Sequence, residues 1–122
     1  MVFEEKILGM YELHLYDSSW HRSEHNTAPV IRRLEYAIAT LAAAGEHVLK
    51  VYHGTASDGR IRGAVRHALY RLRRERRIEF YIPGENFHSD DTATLYLTEK
   101  MPALLSDPDY AARNSAVTFV YF

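Results

Sequence analysis

The stretch "VYHGTASDGRIRGAVRHAL", Val51 to Leu69, decides the fold. It opens on the end of an apolar run, "HVLKVYH" (His47–His53), whose β-branched and aromatic residues read as a strand. Gly54 to Gly59 is a loop of small residues. Beyond it Ile61, Ala64, Val65, Ala68, Leu69 and Leu72 recur at offsets of three and four, which predicts an amphipathic helix over Arg60 to Arg77. A strand passing through a short glycine-flanked turn into a helix is a piece of β-α-β structure, so the chain reads as α/β.

Working outward, the same logic extends to both ends. Upstream, "MYELHLY" (Met10–Tyr16) alternates, with Tyr11, Leu13 and Leu15 on one face and Glu12, His14 and Tyr16 on the other: a half-buried strand. Thr27 is placed to cap a helix that admits Pro29 in its first turn, carries Val30, Leu34, Ala37, Ile38 and Leu41 at helical spacing, and ends at Gly45. Downstream, "RIEFYIPGE" predicts a third strand stopped at Pro83-Gly84. A helix follows from about Asp91 to Pro102, with a further turn at Asp107-Pro108 and a last strand in "AVTFVYF". The order β-α-β-α-β-α-β implies a two-layer sandwich with a mixed four-stranded sheet and helices packed on one face. The 122 residues suit one domain, with 83–115 as an extended helical insertion before the last strand.

Composition narrows the function classes. The chain has no cysteine, which excludes disulfides and thiolate metal sites and fits a reducing compartment. "MVFEEKILGM" reads as neither a signal peptide nor a membrane span, so a cytoplasmic protein with no membrane partner is expected. A net charge of −1 conceals a bipolar molecule. Arg60 to Arg77 holds eight arginines against Glu75 alone, a local charge of +7, while Glu79 to Asp109 holds seven acids against Lys100. Such a basic block suits a phosphate-rich partner, RNA or DNA, unless the acidic segment folds back and neutralises it.

Specific residues sharpen this. The backbone N–H groups around Gly54 and Gly59, with the Thr55 and Ser57 hydroxyls, form a candidate anion site at a helix start, and Asp58 is placed to cap that helix. Arg62, Arg66, Arg73 and Arg77 flank the apolar stripe on one side; Arg60, His67, Arg71 and Arg74 flank it on the other. His53 stands beside the loop, where an imidazole suits proton transfer near neutral pH. Tyr70, opposite the apolar stripe, is a candidate base-stacking residue, as is Trp20 if exposed. His21 and His25 have i, i+4 spacing but no evident third metal ligand.

These motifs together resemble the Smr (small MutS-related) domain family, in its short stand-alone bacterial form. "HGTASDGRIRGAVRHAL" is similar to the family's His-Gly-x-Gly signature and basic helix, Tyr11-Glu12-Leu13-His14 to its Leu-Asp-x-His motif, and "AVTFVYF" to its closing strand. The resemblance implies a domain similar to the C-terminal domain of translation initiation factor 3. It also implies nucleic-acid binding, with endonuclease activity on RNA or DNA. On that reading His53, His14 and Glu12 are the catalytic set: the imidazoles move protons at the phosphodiester, and the carboxylate sets a ring's tautomer. Gly54, Thr55, Ser57, Gly59, Arg60, Arg62, Arg66, Arg73, Arg74 and Arg77 would bind the nucleic acid. A divalent metal is compatible with the chemistry, but no ligand set for one is evident. The chain departs from the family pattern at Glu12 (Asp expected), Ala56 (the second glycine) and Ser115-Ala116 (glycine expected). The alternative is a non-catalytic nucleic-acid or ribosome-associated binding module on the same scaffold. A third reading is a protein-interaction domain whose basic helix is neutralised by its own acidic segment.

Overall fold

The computed structural model describes residues 6–15, 27–55 and 59–122. Its regular elements are β1 (Tyr11–His14), α1 (Ala28–Ala43), β2 (Val48–Tyr52), α2 (Arg60–Arg74), β3 (Phe80–Pro83), α3 (Thr92–Lys100) and β4 (Val117–Tyr121). Short 3-10 turns at Gly84–Asn86 and Pro102–Ser106 flank α3. The strands form one mixed sheet in the order β1-β2-β4-β3. β1 and β2 are parallel, joined through α1, and β4 lies antiparallel between β2 and β3.

The expected apolar spacing is what α1 and α2 bury. Val30, Leu34, Ala37, Ile38 and Leu41 of α1 meet Val65, Ala68, Leu69 and Leu72 of α2 over Leu13, Leu15, Leu49, Val51 and Val120 of the sheet. Each fully buried aliphatic side chain of this kind stabilises by about 1.5–3 kcal/mol. Thr27 occupies the N-cap position of α1, but its hydroxyl makes no capping bond. At the other end Gly45 takes φ +83°, its N–H donates to Ala42 O, and Glu46 N–H donates to Leu41 O, a Schellman ending.

Two expectations are corrected here. First, α2 stops at Arg74 and does not run to Arg77. Arg76 turns left-handed, at φ +61°, and Arg77 N–H closes on Leu72 O at 2.9 Å, an ending normally marked by glycine. Second, helices on one face describe only α1 and α2. β2 and β4 are apolar on both sides. Val48, Val117 and Phe119 point away from α1 and α2 into a second core with Met10, Ile82, Phe87, Leu97 and Leu104. The segment between β3 and β4 covers that face, with α3 started by Asp91, whose carboxylate accepts from Thr94 N–H at 2.9 Å. Gly84 fits where no side chain could: a Cβ there would lie 2.0 Å from Asn114 O.

Candidate nucleic-acid interface

The chain leaves β2 at Tyr52 and turns at once. The N–H groups of His53 and Gly54 both donate to Ala116 O at 3.0 Å, and Gly54 takes φ +75°. By strand alternation His53 follows Val51 onto the α1/α2 face. There it is fully buried. Its Nδ1 lies 3.0 Å from Gly54 O and its Nε2 lies 2.8 Å from Thr118 Oγ1. The carbonyl can only accept, so Nδ1 carries the proton and donates. Nε2 is then bare and accepts from the Thr118 hydroxyl, which accepts in turn from Arg66 Nε at 3.3 Å. Burial pushes the His53 pKa down to about 4; the bond to Gly54 opposes this and the Arg66 charge adds to it. His53 is therefore a neutral, fully hydrogen-bonded core histidine at pH 7.

Arg66 is equally occupied. Its guanidinium meets Glu85 in a two-point pair, Nη1–Oε2 at 2.9 Å and Nη2–Oε1 at 2.6 Å, and Nη2 also donates to Ser115 O at 3.4 Å. Burial works to raise the Glu85 pKa, but the Arg66 hydrogen bonds outweigh it and hold the carboxyl below its usual range. Arg62 donates to Ser115 Oγ at 3.4 Å and curls back over Gly59. These two arginines tie α2 to the β3–β4 segment.

Glu12 and His14 share a strand face as expected, and it is the opposite one from His53. His14 pairs in register with Tyr52, and the two rings stack at 4.3 Å. Glu12 Oε1 lies 3.5 Å from His14 Nε2, and Tyr52 Oη donates to Glu12 Oε2 at 3.4 Å. His14 is the exposed member, 63% open against 18% for Glu12. Arg33 of α1 reaches the His14 carbonyl at 3.4 Å. The expected convergence of His53, His14 and Glu12 does not occur, because the strand's parity puts Tyr52 beside His14.

Behind Tyr52 lies a group that the sequence reading misses. Lys50 is buried at the centre of the sheet, and its Nζ lies 2.9 Å from Asp107 Oδ1 and 2.6 Å from Asp109 Oδ2. Burial alone would lower the Lys50 pKa, but bonds with Asp109, Tyr52 and Asp107 more than reverse this, so it is raised and Lys50 stays charged. The only hint in the sequence is a lysine set in the apolar strand "VLKVY".

A further set of arginines lies on the outer surface of the helical layer. Arg32, Arg33 and Arg77 border a shallow groove with Pro29, Tyr36 and Ala39. Arg71 and Arg74 border a second groove with His67, Tyr70 and Glu75. Arg71 bonds to Glu35, a wall of the first groove, so the two grooves adjoin. Arg60, Arg73, Arg74, Arg76 and Arg77 are all exposed. Of the acidic segment, Glu85 is taken by Arg66, and Asp107 and Asp109 by Lys50 on the far side of the sheet.

In the expected anion loop, Thr55 is exposed and Gly59 is left-handed at φ +63° at the N-cap of α2. Ser57, Ala56 and Asp58 lie outside the described residues, as do Trp20, His21 and His25. Among the described residues no group of three or more His, Asp or Glu side chains is placed to hold a metal ion. No described helix is long and apolar enough to cross a membrane. Comparison with known protein families, with characterised proteins and with solved structures finds no match to this chain.

Proposed function

We propose that this chain is a nucleic-acid-binding module, of the kind its Smr-like motifs suggest, and that it binds through the outer face of α1 and α2. One observation carries the reading: exposed arginines from both helices border two adjoining grooves on a face that the acidic segment does not cover. Guanidinium groups held this way contact phosphate without reading sequence. Arg32, Arg74 and Arg77 are the test residues, because all three are exposed. Changing them together to Ala lowers the slope of log affinity against log salt by roughly 2, at about 0.7 per lost single-strand phosphate contact. An unchanged slope in a filter-binding titration overturns the reading.

A second reading, phosphodiester cleavage, attaches to His14 and not to His53. The observation favouring it is that His14 is exposed and lies 3.5 Å from the Glu12 carboxylate, while its backbone carbonyl accepts from Arg33 of α1 at 3.4 Å. An imidazole so placed can take a proton from an attacking hydroxyl while Glu12 stabilises the imidazolium. His14→Ala then abolishes cleavage of labelled RNA or DNA and leaves binding intact. Cleavage that survives in the variant assigns the chemistry elsewhere.

A further inference from the structure

Tyr36 on α1 and Tyr70 on α2 are 55% and 49% exposed, the large apolar side chains that these two helices leave in water. Neither ring is engaged by another aromatic ring, a hydrogen bond or a cation among the described residues. Each instead sits in one of the two basic grooves, Tyr36 with Arg32, Arg33 and Arg77, and Tyr70 with Arg71 and Arg74. The grooves are tied across their common border twice, by Arg71 to Glu35 and by Arg77 Nη1 to Glu75 Oε1 at 3.7 Å.

A duplex offers such a surface only phosphates and base edges, because its base faces are covered by stacking. An unpaired strand offers phosphates to the arginines and an open π-face to each ring, and stacking of this kind tolerates any base. Positive charge on the face complements the phosphates, and the two rings complement exposed bases.

From this we infer that the face takes single-stranded nucleic acid in preference to duplex, with bases stacked on Tyr36 and Tyr70. The inference rests on the nucleic-acid reading above and names the form of its ligand. Both tyrosines are exposed, so Tyr36→Ala and Tyr70→Ala keep the wild-type melting midpoint.

The test is fluorescence anisotropy with a labelled twelve-nucleotide RNA, the matching DNA, and a blunt duplex of the same sequence, all at one salt concentration. The single strands bind tighter than the duplex. Each Tyr→Ala variant weakens single-strand binding roughly tenfold, within the range known for one stacked base, and moves duplex binding less than twofold. Tyr36→Phe and Tyr70→Phe keep the ring and keep the affinity. Equal affinity for strand and duplex, or a tyrosine loss that weakens both alike, overturns the single-strand inference alone. No binding to any of the three probes overturns the nucleic-acid reading and this inference with it.

Discussion

Replacing Lys50 by Met is the most informative perturbation of the fold. Met keeps most of the lysine stem's volume, so lost packing costs less than about 1.5 kcal/mol. The electrostatic change dominates. Asp107 and Asp109, both buried, lose their shared cation. They keep one other hydrogen bond each, Asp107 from Asp109 N–H and Asp109 from Asn114 Nδ2. Two carboxylates cannot stay charged there together, so one takes up a proton. Protonating an ordinary aspartate at pH 7 costs roughly 4 kcal/mol, from three pH units at about 1.4 kcal/mol each. The expected loss is therefore about 3–5 kcal/mol, the range for breaking one side of a buried ion pair. It is measured by urea denaturation of wild type and variant at pH 7 and pH 5. The cost of taking up a proton on folding falls as the pH falls. The gap between the two proteins consequently narrows on going to pH 5, by roughly 2–3 kcal/mol for one proton. A gap below about 1 kcal/mol at pH 7, or one that does not change with pH, refutes the argument.

The buried imidazole and two glycines supply the other expectations. The His53 pKa falls from the usual 6.5 to about 4 on folding, so the unfolded chain binds the extra proton between those values. Its contribution, up to about 3 kcal/mol, is complete above about pH 6.5 and lost as pH falls to 4; the difference between wild type and His53→Gln across that window shows it. Gly84→Ala drives a Cβ to 2.0 Å from Asn114 O and 2.6 Å from Val117 Cγ2, costing about 1–3 kcal/mol by thermal or urea unfolding. Gly63→Ala, exposed in α2 with open space around it, gains roughly 0.5–1 kcal/mol, and equal shifts for the two would contradict the packing.

Local periodicity was legible wherever one side of an element faces water. All five apolar positions expected of α1 are buried, and Leu13 of β1 and Leu15 just beyond it point into the core while Glu12 and His14 point away. β2 was not legible in this way. It is covered on both faces, so polarity does not alternate along it, and the sequence could not say whether Tyr52 or His53 meets His14. The partners of Lys50 lie 57 and 59 positions along the chain, in a segment whose face no local pattern reveals. Arg66 and Arg73 sit on the same flank of the helix wheel, yet Arg66, near the middle of α2, meets Glu85, while Arg73 lies at the helix end. The sequence pattern runs the helix past its true end because Arg76 holds a left-handed position that carries none of glycine's signal.

The central claim is that the outer face of α1 and α2 receives the nucleic acid. Amide chemical-shift mapping of the labelled protein during titration with a short single strand tests it most directly. The account predicts the largest shifts at Arg32, Arg33, Tyr36, Tyr70, Arg71, Arg74 and Arg77, with α3 and Lys50 unmoved. Shifts concentrated at His53 to Arg60, or over α3, would contradict it.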